Sequence, residues 1–353
     1  MINLNILKNV KRAREEDKRN FKTGIRSDRN EKVENWSPNI FKRIFNKIAS
    51  HEFTAYYNTT NLHKLELKIA RFYKIKIENI VINHGGDGVI KEFLLVNYQK
   101  GMKVLINGNN YGMYYVYFKG LNIKPFEIQY KFSLNDKNLF NLDKKYLEKN
   151  IKKSRIFFFT NPSVVSNSDL NIRYISKLCS KYPKKLFFID ESYNGFGQTS
   201  FIKLIKKHKN IFIMRSITKS FGLASARVGF LIAHKDSIKP FKALQTPYPL
   251  SLFSGKCLEF FIENKKIIKS YNYGVLKGRK FFSNELRKKN YLINDGQGLS
   301  VLIYFKSKSR LMLKYKKLLK KNIYTKIINV NSKYFIRVTC GPIGIMRRII
   351  KFF

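Results

Sequence analysis

Apolar residues in the first two-thirds of the chain gather in short unbroken runs instead of alternating with polar ones. The runs are Ile80-Val81-Ile82, Val104-Leu105-Ile106, Ile156-Phe157-Phe158-Phe159, Leu186-Phe187-Phe188-Ile189, Ile211-Phe212-Ile213 and Gly229-Phe230-Leu231-Ile232. Such runs predict strands buried on both faces, as in a mostly parallel sheet covered by helices. Helical spacing separates them between about residues 40 and 240. In sheets of this kind ligands bind beyond the carboxyl ends of the strands. Polar residues follow several of those ends here.

The pattern changes beyond Pro240, Pro247 and Pro249. A long helix is predicted over 252–289, strands over 301–305 and 334–339, a helix over 310–320 between them, and a last helix over 345–353. Residues 1 to about 40 are polar and charged and close with Trp36-Ser37-Pro38, which reads as an arm and linker. The expected fold class is therefore α/β: a mostly parallel central sheet with helices on both faces, plus a smaller α+β domain completed by the arm. The expected divisions are an arm and linker over 1–45, a large domain over 46–245 and a small domain over 246–353. The 353 residues suffice for two such domains, and no internal repeat stands out.

Charge adds less than it first promises. Seventy Lys and Arg against 23 Asp and Glu give a net charge of +47, which on its face points to nucleic acid or an anionic surface. The basic residues, however, are spread everywhere among Ile, Asn, Phe and Tyr. The densest stretches, 279–289 and 314–321, have helical spacing with apolar partners and read as solvated helix faces. No specific nucleic-acid role is expected. Cys179, Cys257 and Cys340 are too far apart for a metal site or a disulfide framework, and buried free thiols are expected. No apolar core precedes the charged run 11–19, and no apolar run reaches membrane-spanning length. A cytoplasmic location without a membrane segment follows as an expectation.

The candidate chemistry lies just after the predicted strands. Gly85-Gly86-Asp87-Gly88 opens a helix, and such a turn can bring backbone N–H groups to an anion. It equally suits a plain tight turn, with Asp87 as a cap. Tyr111 offers a face on which a planar ring would stack, or is one of many core tyrosines. Asn161, before Pro162, suits either a donor to a phenolate oxygen or a turn. Asp190 at a strand end needs a cation or hydrogen bonds if buried, and a pyridinium nitrogen would serve; capping the following segment is the alternative. Tyr193 would reach the same ring. Lys219 follows a buried strand between Thr218 and Ser220, with Arg227 eight positions on. Burial beside a cation would make its amine nucleophilic, and the hydroxyls with Arg227 suit a phosphate. Together these suit a cofactor with an aldehyde, a cationic ring and a phosphate, and pyridoxal phosphate has all three.

In order and spacing these residues resemble the class I/II aminotransferases of pyridoxal phosphate fold type I, in particular the histidinol-phosphate aminotransferase-like branch. The resemblance spans about residues 25–342. It rests on Tyr57 thirty positions before Asp87, Gly86-Asp87, Tyr111-Gly112-Met113-Tyr114, Asn161-Pro162, Asp190-Glu191-Ser192-Tyr193, Ser216-Ile217-Thr218-Lys219, Arg227-Val228-Gly229-Phe230 and Phe335-Ile336-Arg337-Val338-Thr339. It implies that Lys219 carries the cofactor covalently and moves a proton at the substrate Cα. It implies that Asp190 pairs with the ring nitrogen, Asn161 and Tyr193 bond its phenolic oxygen, and Tyr111 stacks on it. Gly86, Asp87, Ser216, Thr218 and Arg227 would hold the phosphate, Tyr57 would reach the phosphate of a neighbouring subunit in a homodimer, and Arg337 would grip the substrate carboxylate. Small amino and oxo acids are the implied substrates, in a ping-pong transfer. A decarboxylase similar to threonine-phosphate decarboxylase is the alternative. Two departures bear on substrate choice: residues 163–168 replace a second Asn-Pro motif, and Arg29-Asn30-Glu31-Lys32 stands where the family has Asn-Glu-Asn-Pro. Lys326 aligns loosely with a second substrate cation.

Overall fold

The computed structural model describes residues 17–57, 59–134, 139–163, 165, 170–296 and 298–353. Among these, the apolar runs form one central sheet. Its strands in chain order are β1 (Ile80–His84), β2 (Val104–Asn107), β3 (Phe126–Ile128), β4 (Ile156–Thr160), β5 (Leu186–Asp190), β6 (Ile211–Ser216) and β7 (Val228–Ala233). Their order across the sheet is β1-β7-β6-β5-β4-β2-β3. Only β7 runs antiparallel to its neighbours. The expected α/β class with a mostly parallel sheet is thus what the chain adopts. The pattern missed β3, whose Phe-Glu-Ile is too short and too polar to register as a buried run.

Phenylalanine fills both faces of this sheet. Phe157, Phe158, Phe159, Phe187 and Phe188 are at most 1% exposed. Phe93, on helix α1 (Gly85–Asn97), meets Phe158, Phe188 and Phe212 at ring-centroid distances of 5.6, 4.7 and 5.1 Å. Close packing leaves no group to refill the space of a deleted ring. Phe93→Ala is therefore expected to cost about 3–5 kcal/mol, read as a shift of the urea midpoint with an unchanged denaturant slope.

The single predicted helix over 252–289 is two helices, α3 (Leu252–Glu263) and α4 (Lys265–Lys288), which meet at Asn264. Asn264 has φ −100° and ψ 47°, outside the helical region. Its amide caps the first helix by donating to the Phe260 carbonyl. Helix α3 buries Cys257, Leu258 and Phe261 in the cluster that holds Ile213 and Phe230, whereas α4 lends Val275, Phe282 and Leu286 to a second core. That second core lies on a four-stranded antiparallel sheet of Ile293–Asn294, Ser300–Phe305, Lys333–Thr339 and Lys326–Val330, in that order. The last helix is Ile343–Ile350, earlier and shorter than predicted. Ile25–Arg26 of the arm pairs in parallel with Ile323–Tyr324, so the arm is built into this end of the molecule.

The lysine-rich segments are largely solvated: helix Lys308–Lys320 buries only Leu311 and Leu318. Arg279 departs from that expectation, since its guanidinium is partly buried and donates to the Gly298 carbonyl. All three cysteines are buried and free. Among the described residues no helix is long and apolar enough to cross a membrane, and no cluster of potential metal ligands occurs.

Candidate active site

Strand register brings the predicted polar residues to one edge. Thr160 pairs with Asp190, Asp190 with Met214, and Ser216 with Gly229. Arg227 precedes β7 at this edge because β7 runs the other way. Gly85 leaves β1 here with φ +69°, which only glycine adopts freely. A Cβ on Gly229 would lie 2.4 Å from the Gly85 carbonyl carbon. The start of β7 can lie against the Gly85–Gly86 backbone because Gly229 has no side chain.

Arg227 itself has φ 49° and ψ 50°, a costly conformation for a non-glycine residue. The turn sets its guanidinium over Gly85 and within 2.9 Å of the Asp87 carboxylate. The N-cap of α1 is His84, and Asp87 lies in the helix's first turn; the second Asp87 oxygen is buried without a partner. Ser216 caps the short helix Ile217–Ser220, and its Oγ lies 2.9 Å from Thr218 Oγ1. Backbone N–H groups, two hydroxyls and a guanidinium therefore surround the start of α1 and the end of β6.

Lys219 sits on that short helix and donates through Nζ to the Arg29 carbonyl at 3.2 Å. Burial, then the positive field of Arg337, lowers its amine to about 8; Arg227 adds to this, while Glu31 and Asp190 oppose it. Asp190 is 4% exposed. Burial pushes its carboxyl up, and Ser192, Tyr114 and Lys219 pull it back. Ser192 N donates to Oδ1 at 2.9 Å, so Asp190 does cap the turn after it, and Tyr114 Oη donates to Oδ2 at 3.1 Å. Arg337 is half-buried, its Nη2 donates to the Asp28 carbonyl, and its Nε has no partner.

The remaining candidates lie around this group. Tyr193 Oη accepts from the Asn30 amide at 2.8 Å. The Asn161 amide donates to the Thr199 carbonyl at 2.8 Å, and its bond to Pro162 is cis. Tyr111 is 47% exposed, so its ring is not a core filler. Tyr57 is different: it is buried against its own subunit, its ring beside Gly255 of α3. Of the altered 163–168 segment only Ser163 and Val165 lie within the described residues.

Two groups of contributors escaped sequence reasoning. The arm enters the site: Asp28 and Arg29 supply carbonyls to Arg337 and Lys219, and Asn30 bonds Tyr193 and Thr339. Only the resemblance of Arg29-Asn30 to a family motif hinted at this. Behind the edge, Glu191 is fully buried, 2.9 Å from Arg215, and also accepts from Ser200 and the Phe201 amide. The alternation of Asp190 with Glu191 and of Arg215 with Ser216 carried that signal, since neighbours on a strand face opposite sides.

Three cations, Lys219, Arg227 and Arg337, converge on an edge where Asp190, Asp87 and Glu31 supply the opposing charge. The open donor on Arg337 Nε, the Arg227 guanidinium and the Gly85–Gly86 turn fit a ligand carrying anionic groups. A nucleophilic amine beside a buried carboxylate fits an aldehyde on a protonatable ring. Pyridoxal phosphate meets both requirements.

The sequence matches the aminotransferase class I and II family model over residues 16–352. It is 26% identical over 338 residues to the histidinol-phosphate aminotransferase of Clostridium novyi, covering 95% of this chain and 92% of that one. It is also 26% identical over 329 residues to a dihydroxyacetone phosphate transaminase of Campylobacter jejuni, covering 88% of each. The fold superposes on a histidinol-phosphate aminotransferase from Sinorhizobium meliloti in complex with pyridoxal-5'-phosphate, with a TM-score of 0.80 and 16% identity over 92% of this chain and 89% of the other.

Proposed function

The chain belongs to the class I and II aminotransferases, pyridoxal phosphate-dependent enzymes, and from that premise we propose how its residues divide the work. Pyridoxal phosphate, when bound, supplies a ring that withdraws electrons from the substrate Cα. Lys219 holds the cofactor by its amine and, once released, carries the proton at Cα. Asp190 pairs with the ring nitrogen, Tyr111 covers one ring face, and Asn161 and Tyr193 address the phenolic oxygen. Gly86, Asp87, Ser216, Thr218 and Arg227 would hold the phosphate, where helix N–H groups favour an anion. Arg337 binds the substrate carboxylate with its planar fork.

The observation that carries this reading is the single cluster of Lys219, Asp190, Arg227 and Arg337. The substrates are an amino donor and an oxo acceptor bearing a phosphate. Both curated relatives act on phosphorylated substrates by name. Lys326 lies directly across the strand pair from Arg337, so both project from the same face of the sheet. A cytoplasmic homodimer completes the reading. Exposed Tyr56 stacks on exposed Tyr248 at 4.4 Å beside Tyr57, a surface that a second copy would cover; for Tyr57 to reach the neighbouring phosphate its ring would have to leave its place beside Gly255. We set the domain boundaries near residues 45 and 245.

The test is spectral. Protein loaded with pyridoxal phosphate should show a visible band that an amino donor bleaches and an oxo acid restores. Carbon dioxide release without use of an oxo acid would point to a decarboxylase instead. Light scattering gives the subunit number.

The lowered Lys219 amine adds a pH signature. Its value of about 8 lies below the ordinary 10.5, so the neutral, nucleophilic form predominates from about pH 8 upward. The rate at which apoprotein captures the aldehyde should rise roughly tenfold per pH unit below 8 and flatten above it. A rise that continues to about pH 10 would mean an ordinary solvated amine does the capture.

A further inference from the structure

Tyr114 has a role that the family-derived assignments leave out. It lies one helical turn after Tyr111, on helix α2 (Gly112–Gly120), and is 1% exposed. Its ring packs among Phe118 and Phe158, at centroid distances of 6.2 and 5.5 Å. An apolar pocket of this kind suits phenylalanine, and a hydroxyl there costs free energy unless it is bonded. Its one hydrogen-bond partner among the described residues is Asp190 Oδ2, at 3.1 Å.

A carboxylate offers about four acceptor positions. The Ser192 N–H takes one on Oδ1 and Tyr114 one on Oδ2. The Ser192 hydroxyl also favours the charged carboxylate, so about one acceptor position remains for a further donor, and the orientation is set from two sides. Tyr114 also faces a conflict built into the site: a deeply buried carboxyl tends to be neutral, and a neutral one cannot pair with a protonated ring nitrogen. A bond donated to the charged form favours that form. The phenol, itself held protonated by burial, stays a donor throughout.

Resting on the cofactor assignment above, we propose that Tyr114 is a positioning residue that holds the Asp190 carboxylate ionised and aimed at the cofactor's ring nitrogen. It acts through Asp190 and touches neither substrate nor the reacting atoms. The same first turn of α2 carries Tyr111, so one helix start sets both the ring's face and its nitrogen partner.

The test compares two aldehydes binding to the apoprotein: pyridoxal phosphate, and its benzene analogue in which C–H replaces the ring nitrogen. Tyr114→Phe keeps the packing and removes only the hydroxyl. We expect it to weaken pyridoxal phosphate about ten- to a hundredfold, the range for a bond to a charged group, and to leave the analogue within about twofold. Equal weakening of both compounds, or of neither, overturns the proposal in favour of a packing role. A second measurement guards against a misfolded variant. In an Asp190→Asn background, Tyr114→Phe should change pyridoxal phosphate affinity little, and a full additive loss there also overturns it. Failure of the wild-type protein to capture either aldehyde overturns the cofactor assignment itself, and this inference with it.

Discussion

Lys219→Ala will leave a folded protein without the absorbance band of the lysine-linked cofactor and with transamination reduced by about 10⁴-fold or more, the upper range for a positioned acid–base group. The size follows from two duties on one atom. Nζ is the nucleophile that captures the aldehyde, and afterwards it is the base at Cα. The chain holds many lysines, yet none can stand in, because the effect depends on place. At this edge burial and Arg337 lower the amine to about 8, whereas a solvated lysine at neutral pH is almost wholly protonated. Lys219→Arg should not rescue, since guanidinium stays charged and cannot attack a carbonyl. Noncovalent cofactor binding should persist in both variants through the Arg227 and Asp87 end of the site. A band that survives in Lys219→Ala would assign the covalent link to another residue.

Asp190→Asn should be the next most damaging change at near-constant volume. The amide oxygen can still accept from the Ser192 N–H, and the NH2 in place of Oδ2 can donate to the Tyr114 hydroxyl oxygen, so the fold is retained. It cannot pair with a protonated ring nitrogen, and breaking a buried ion pair costs about 3–5 kcal/mol. Expressed as rate, that is a loss of roughly 10²- to nearly 10⁴-fold in kcat. The effect should fall on kcat more than on KM, because the ring's electron demand peaks as the Cα proton leaves. Stopped-flow bleaching of the bound cofactor with a Cα-deuterated donor isolates that step. An unchanged bleaching rate would remove Asp190 from the chemistry.

Much of the sheet was legible because its strands are buried on both faces: Phe157-Phe158-Phe159 and Phe187-Phe188-Ile189 leave no alternating face to confuse with a helix. Phe126–Ile128 was not, since an edge strand needs few apolar residues. The break at Asn264 was hidden because apolar spacing continues through it from Phe261 to Ile268; an isolated Asn marks a cap only when the next helix changes direction. In the site, Lys219, Asp190 and Arg227 could be named from position after strand ends. Tyr114 could not be assigned its partner, because a buried tyrosine after Gly-Met looks like any other in an aromatic-rich chain. The arm's contribution was the least legible. Arg29 and Asp28 act through backbone carbonyls, which every residue has and no side-chain pattern reports.

The parallel pairing of Ile25–Arg26 with Ile323–Tyr324 joins two segments about 300 positions apart. On a ribosome adding roughly 5–20 residues per second, the early segment emerges tens of seconds before the strand it needs. Until then the edge of the nascent sheet that will bear Lys219 has no covering carbonyl from Arg29, and Ile25 faces water. A chain ended before residue 323 would therefore lack the strand that Ile25–Arg26 pairs with, and the arm would have no edge to join.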